Sequence, residues 1–535
     1  MASNRIPIFQ QEALNSKTIQ EFIHHGMTLT GESFGFSSAN KYVYYSPQWI
    51  GLMAEKAIHI YKDQGVQVRS SADGFPITAF RVSSSIESVI TFLALVRLGH
   101  VVLLVSPDMA VDDTEALATE LHFDLMINGL GGCTYKSIPM VTLEQLSQFH
   151  CLANTDKQAT SFVVPDENEP ALMVHSSGTT GRPKVIAKTH FQLLRILRGL
   201  SSVLHNKDLF VGPWMHWVIG AYAVLFALVR CGSRTCWAGD GRTSADAIKQ
   251  VLLETKPQVM WCHTRFLVPA SESPEGLECL KRCMLVVNLG GLLPPYVSSR
   301  LIKEGVRLAT AYGMSELPMG LTSEACAGDP LYWDYVQPDP VTAQHLYFRP
   351  LAEDEAIVGG RQLFELVVLP TLPSLEKRWA NAPDGSVHTG DIFMKHPTKD
   401  HYRCLGRMRD DIKLRPGGTG SATIRTRSYE DVLERRHQEL IDAAVFFGDK
   451  QIKPGILLFV KSSMDASQDE VVEAAWKTIQ HEMQELIGLG LTKNMVVVVL
   501  DTVVPRTSKG EVVRAEALLQ SNSAIWTAYR ATEES

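Results

Sequence analysis

One short loop narrows the folds open to this chain more than any other feature: Val174-His175-Ser176-Ser177-Gly178-Thr179-Thr180-Gly181-Arg182-Pro183-Lys184-Val185. The apolar run Ala171-Leu172-Met173-Val174 leads into it, so the sequence predicts a strand that ends in a glycine- and hydroxyl-rich turn. Backbone N–H groups, the hydroxyls of Ser176, Ser177, Thr179 and Thr180, and the Lys184 ammonium can together wrap the oxygens of a triphosphate. The spacing is not that of the common nucleotide motif, which places four arbitrary residues between Gly and Gly-Lys-Ser/Thr.

The segments around the loop predict an α/β chain. Ser83 to Leu98 reads as an amphipathic helix, with Ile86, Val89, Ile90, Leu93, Leu95 and Val96 at helical spacing. Val101 to Val105 reads as a buried parallel strand. The rhythm returns at Ala245 to Val251, followed by Val259 to Cys262, and at Leu285 to Asn288. Near Leu363 to Leu369, alternation predicts a smaller, more antiparallel subdomain. After a compositional boundary at Gly406 to Asp411 come strand-like Asp442 to Phe447 and Ile456 to Val460, a helical pattern over Val471 to Ile487, and a strand at Met495 to Leu500. The expectation is a large core domain, residues 1–406, of layered α/β subdomains with parallel sheets plus a β subdomain, then a small mobile α/β domain, residues 407–535. At 535 residues the chain is too long for a single ordinary core.

Composition excludes several classes. With 45% hydrophobic and 20% charged residues the chain reads as a soluble globular protein. No apolar run reaches the roughly 20 residues of a membrane span, and Met1 to Gln10 shows no secretory pattern. A cytoplasmic location without a membrane partner is expected. The net charge of −7 argues against nucleic acid as a partner. The nine cysteines form no CxxC pair and read as buried thiols in a reducing compartment.

The loop and four ordered segments after it carry the chemistry. After the loop comes Thr310-Ala311-Tyr312-Gly313-Met314-Ser315-Glu316, following the strand-like Val306 to Leu308. Then come His388-Thr389-Gly390-Asp391, Gly406-Arg407, and Pro505-Arg506-Thr507-Ser508-Lys509-Gly510-Glu511-Val512-Val513-Arg514. Together they resemble the adenylate-forming superfamily, which includes acyl-CoA synthetases, luciferases and the adenylation domains of peptide synthetases. Its members activate a carboxylate with ATP, release pyrophosphate, and pass the acyl group to a thiol. The resemblance implies that Tyr312 packs on adenine, Glu316 helps hold Mg²⁺, and Thr310 touches the α-phosphate. It further implies that Asp391 accepts the ribose hydroxyls and Arg407 gives a second ribose or phosphate contact. A flat ring suits a purine face, and a hard carboxylate oxygen suits magnesium on phosphates.

Two segments depart from the family pattern. After the hinge-like Arg409-Asp410-Asp411-Ile412-Lys413, with Arg409 at the pivot, Pro416 to Ser421 lacks the usual glycine-acid-proline order. In the last motif the lysine that relatives place after the glycine is replaced by Glu511, and Lys509 stands before Gly510. A carboxylate cannot neutralise a forming acyl phosphate. Either Lys509 takes the catalytic role or adenylation is slow; Thr507, Gly510 and Arg514 fit the pattern and favour Lys509. Some fungal synthetase-like enzymes resemble this arrangement.

The acid pocket is expected at Phe210 to Gly220, where relatives begin a helix lining the carboxylate site. His216 resembles the gate of aryl- and acyl-activating members, beside Met215. No Asp or Glu lies between Val211 and Val229. An α-ammonium buried there would be unpaired, at a cost of several kcal/mol, so a small aryl carboxylic acid fits better than an amino acid. Asn288 could bond a ring hydroxyl or be satisfied by backbone, while Gly290 and Gly291 leave room for a ring. Met314 is placed against the acyl group, and Trp261, Cys262 and His263 are candidates for one wall. The chain has no carrier-domain Leu-Gly-Gly-x-Ser signature. The acceptor is then either coenzyme A or a phosphopantetheine thiol on a carrier domain in cis, if this is a domain of a synthetase-like carboxylic acid reductase. A free-standing aryl- or acyl-CoA synthetase, and a degenerate nucleotide-binding or interaction protein with little turnover, are the alternatives.

Overall fold

The computed structural model describes the chain apart from residues 1–12, 39–40, 70–73, 82, 124, 130–134, 137, 152–164, 177–183, 204–205, 231–232, 239–244, 317–319, 352–356, 359–360, 374, 416–422, 462–466, 501, 507–511 and 534–535. It is a large N-terminal α/β domain with mixed parallel and antiparallel sheets, followed by a small C-terminal α/β domain. Contacts along the chain define two compact units. The first comprises Met1–Cys262, Glu272–Val287 and Met314–Pro318; the second comprises His263–Ser271, Asn288–Gly313 and Met319–Ser535.

The first unit holds a six-stranded sheet in the order Met140–Thr142, Leu125–Asn128, Ile77–Arg81, Val101–Val105, Pro170–Ser176, Lys184–Thr189. All neighbours are parallel except the last pair, an antiparallel hairpin. Val101–Val105 is buried throughout, as its unbroken apolar run predicts. The helix before it spans Ile86–Arg97 and is capped by the Ser85 hydroxyl, which accepts the Ser88 N–H. It is not amphipathic: every residue except Glu87 is buried. Tertiary partners meet its polar groups, with Thr91 bonded to the Tyr61 hydroxyl at 2.8 Å and Arg97 paired with Glu55. A further set of strands in this unit runs Val259–Cys262, Leu209–Val211, Thr235–Trp237, Phe34–Ser38, Lys41–Tyr45, parallel until the final antiparallel pair.

In the second unit an antiparallel array runs Leu346–Pro350, Arg361–Val368, Val387–Lys395, Tyr402–Arg407, Tyr335–Pro338, Leu321–Thr322, Leu308–Tyr312. The C-terminal part of this unit has its own core around Ile441–Phe447, Gly455–Val460 and Val496–Val499. The helical pattern over Val471 to Ile487 forms two helices, Gln468–Glu482 and Gln484–Gly488, because Met483 leaves the helical region at φ −139°, ψ 39°.

Candidate functional site

The glycine-rich loop is closed at its base by strand pairing: Ser176 lies opposite Lys184, and His175 opposite Val185. Ser177, Thr179 and Thr180 fall outside the described residues; Lys184 is exposed. His175 is half-buried; its Nε2 accepts the Ser106 N–H at 3.0 Å, and desolvation pushes its pKa down to about 4. Strand alternation turns Ile186 and Lys188 to the same buried face. Lys188 is 0% exposed and its Nζ donates to the backbone carbonyl of Glu316 at 3.1 Å. That bond uses the backbone and not the carboxylate of Glu316. Among the described residues no three His, Cys, Asp or Glu side chains gather as a metal site. A single carboxylate still fits magnesium, which binds through one or two carboxylates plus substrate phosphates. Lys188 was not singled out from the sequence; its signal is a lysine on the inward face of a strand.

In the second unit, Tyr312, Asp391 and Arg407 come together. The Tyr312 hydroxyl donates to Asp391 Oδ2 at 2.5 Å, and Arg407 Nε donates to Asp391 Oδ1 at 3.0 Å. Asp391 and Arg407 are register partners on adjacent strands. The Tyr312 ring stands edge-on to Phe393 at 5.1 Å. Burial, then the Asp391 charge, holds the Tyr312 hydroxyl well above its ordinary pKa, so it is a donor. The strand carrying Tyr312 is Leu308–Tyr312, so the motif ends this strand instead of following one at Val306 to Leu308. Asp391 lies inside the strand Val387–Lys395. Gly390 has φ +69°, which turns Asp391 within that strand.

Glu365, also not singled out from the sequence, supports this turn. Its Oε1 accepts the Gly390 N–H at 3.2 Å, and its Oε2 accepts from Arg349 and His388. Burial raises its pKa, but bonds from Arg349, His388 and Gly390 outweigh that and hold it low. A charged residue in the apolar strand Arg361–Val368 was the available signal. Thr310 is engaged by protein: its hydroxyl donates to the Asn288 carbonyl at 3.2 Å and its N–H to Ser323 Oγ at 2.8 Å. Asn288 Nδ2 donates to the Gly291 carbonyl at 2.8 Å, while its buried Oδ1 has no partner among the described residues. Gly290 adopts φ +83° in the same turn.

The acid-pocket segment lies in the first unit. The helix does not begin near Val211; it spans Val218–Ala227, and Gly212, Pro213 and the Trp214-to-Trp217 turn precede it. The turn folds onto Gly220, where a Cβ would sit 2.0 Å from the Trp214 carbonyl oxygen. The Met215 N–H donates to Ser84 Oγ at 3.1 Å. His216 packs against Trp214 and Trp217, with ring centroids at 5.4 and 6.1 Å. Its buried Nε2 has no partner among the described residues. Burial, then neighbouring His175, pushes its pKa down to about 3, so the ring is neutral at ordinary pH. Trp261 and Cys262 are buried at a strand end in this unit, and Met314 is half-buried. His263 opens a helical segment of the second unit.

Lys509, Gly510 and Glu511 fall outside the described residues, as does Pro416 to Ser421. The flanks of the Lys509 segment are paired by an Arg506–Val512 bridge and by the Val513 N–H, which donates to the Pro505 carbonyl at 2.8 Å. Arg409 lies in the 3-10 turn Met408–Asp410.

The chain thus carries a strand-bounded glycine-rich segment, a tyrosine–aspartate–arginine cluster and a bridged C-terminal segment. The model of the AMP-binding enzymes matches residues 78–346, half of the chain, and that of the AMP-binding enzyme C-terminal domain matches residues 423–533. The chain belongs to the AMP-binding enzymes: it has their ATP-binding fold and activates a carboxylic acid as an acyl adenylate. It is similar to adenylate-forming reductase Nps11 of Serpula lacrymans var. lacrymans (strain S7.9), 26% identical over 69% of this chain and 34% of that protein. It is also similar to an adenylate-forming reductase of Aspergillus terreus (strain NIH 2624 / FGSC A1156), 24% identical over 86% of this chain and 41% of that protein. The chain thus spans less than half the length of these two relatives. In fold it resembles the adenylation domain of a carboxylate reductase from Mycobacterium chelonae, with TM-score 0.74, 13% identity, and 98% and 95% of the two chains covered. It also resembles the anthranilate CoA ligase AuaEII in complex with anthranoyl-AMP, with TM-score 0.72, 14% identity, and 96% and 98% covered. Among the described residues no helix is long and apolar enough to cross a membrane.

Proposed function

We propose that this chain activates an aryl carboxylic acid and hands the acyl group to a thiol. The observation that carries this is the turn Trp214 to Trp217. It presents a neutral, buried His216 whose Nε2 has no partner among the described residues, set among aromatic rings, and no acidic residue lies between Val211 and Val229. Such a wall accepts a flat uncharged ring and leaves an α-ammonium without a countercharge. In this reading Tyr312, Asp391 and Arg407 hold the adenosine, and Glu316 takes the magnesium that accompanies ATP. Lys184 and the hydroxyls of Ser176, Ser177, Thr179 and Thr180 hold the phosphates, and Lys509 stands in for the lysine replaced by Glu511. Thr310 touches the α-phosphate, and Met314, Asn288, Gly290 and Gly291 shape the acyl site. Residues 407–535 rotate about Arg409 between adenylation and transfer. The acceptor is a phosphopantetheine thiol of a carrier domain, as suits a piece of a longer reductase-like protein; the partial coverage of the two reductases supports it. Coenzyme A is the second reading, favoured by a fold match over 98% of a CoA ligase chain.

Pyrophosphate release from ATP with benzoic, hydroxybenzoic, anthranilic and cinnamic acids, against phenylalanine and tyrosine, tests the acid class. Faster turnover of either amino acid than of every aryl acid would overturn it. Mass spectrometry after adding CoA or a loaded carrier protein separates the acceptors.

A further inference from the structure

Two hydrogen bonds meet on one buried hydroxyl in the small domain. Thr426 Oγ1 donates to the backbone carbonyl of Asp410 at 2.8 Å and accepts from Arg514 Nη2 at 3.0 Å. A hydroxyl has one proton and two lone pairs, so it serves both at once. Asp410 closes the 3-10 turn that contains Arg409. Arg514 follows directly on Val513, which pairs with Pro505 across the base of the Lys509 segment. The same guanidinium is held by Glu430, whose two oxygens accept it at 2.6 and 2.7 Å, and by the Phe446 carbonyl at 3.1 Å. Buried Glu430 also accepts the Phe446 N–H at 2.8 Å, and Arg425 pairs with Asp411 beside the junction.

Along the chain, Arg409 and Lys509 are far apart. In space the hinge turn and the base of the Lys509 segment are linked through two side chains, Thr426 and Arg514. A rotation at a pivot delivers a distant group accurately only when the body between them is stiff. Misplacement by about 1 Å can lower a rate by about 10²-fold. We infer that Thr426 is a positioning residue whose hydroxyl joins the hinge turn to the base of the Lys509 segment, so that both move as one body. The inference rests on the proposed roles of Arg409 and Lys509.

The test compares Thr426→Val, which keeps the shape without the hydroxyl, with Thr426→Ser, which keeps the hydroxyl. With the fastest acid of the panel above, the Val variant should release pyrophosphate with kcat lowered about tenfold or more and KM for ATP within about twofold of wild type. The Ser variant should stay within about twofold on both. A Val variant as fast as wild type, while Lys509→Ala is slow, overturns this inference and leaves the role of Lys509 standing. A Ser variant as slow as Val, with wild-type melting, also overturns it. An unchanged Lys509→Ala rate overturns the role of Lys509 itself. Hydrogen exchange on the wild-type protein decides the coupling even if the Val variant does not fold. The amides of Asp411 and Val513 should open together, with equal opening free energies and equal urea dependence. Independent opening of the two overturns the proposal.

Discussion

Tyr312 donates its hydroxyl proton to Asp391 Oδ2 at 2.5 Å, across 79 positions of chain. The bond anchors the hydroxyl end of the ring, while Arg407 takes the other oxygen of the same carboxylate. A carboxylate has about four acceptor sites, so Asp391 can orient both neighbours and still receive ribose hydroxyls.

Asp391→Asn keeps the shape but turns an amide toward Arg407 or Tyr312, both donors. Bonds to charged groups are worth about 1.5–3 kcal/mol. The ATP dissociation constant, read by calorimetry, should rise about tenfold or more. Equal constants for both proteins would remove Asp391 from the ribose site.

Lys509→Ala should slow pyrophosphate release by roughly 10²-fold, as removal of a charged transition-state donor does. Transfer from preformed adenylate to the thiol should be much less affected. Rapid-quench measurement of the two half-reactions checks both; an unchanged first half-reaction in folded protein contradicts the assignment.

His216 gives a pH signature. Its pKa falls from about 6.5 in the unfolded chain to about 3 in the fold, through burial and then His175. Between those values the unfolded chain binds a proton that the folded chain refuses, so stability is lost as pH falls below about 6.5. Phenylalanine has no proton to bind. From pH 8 to pH 5, the stability of His216→Phe should improve relative to wild type by about 2 kcal/mol. Urea unfolding at both pH values measures the difference; a pH-independent gap refutes it.

Gly220→Ala should be strongly destabilising, because its Cβ would lie 2.0 Å from a backbone oxygen, that of Trp214, and the backbone cannot swing aside as a side chain can. Overpacking of this kind costs about 1–3 kcal/mol, or more. The urea midpoint should drop and acid activation should fall with it. An unchanged midpoint would mean that the Trp214-to-Trp217 turn is not seated on Gly220.

What the sequence determined by itself is what neighbouring residues settle among themselves. The apolar, β-branched run Val101 to Val105 had to be a buried strand, and the run Ala171 to Val174 a strand leading into the glycine loop; that Lys184–Thr189 returns antiparallel beside it is shown only by the structure. The alternation near Leu363 to Leu369 gave the antiparallel part, and the order of the motifs gave the family. The helix Ile86–Arg97 shows where that reasoning stops. Its spacing implied one solvent face, but it is enclosed because Tyr61 and Glu55, on another helix, satisfy its polar groups. The segment Phe210 to Gly220 could not by itself show that the turn from Trp214 packs its carbonyl on Gly220 and that the helix starts only at Val218. Lys188 and Glu365 stood out only as charges within strands; their bonds to the Glu316 carbonyl and the Gly390 N–H, and that of Thr426 to Asp410 and Arg514, came from packing alone. Periodicity tells a residue which face it occupies. Which buried polar groups meet is decided only when distant segments pack, since a hydrogen bond requires a separation near 3 Å that no local pattern encodes.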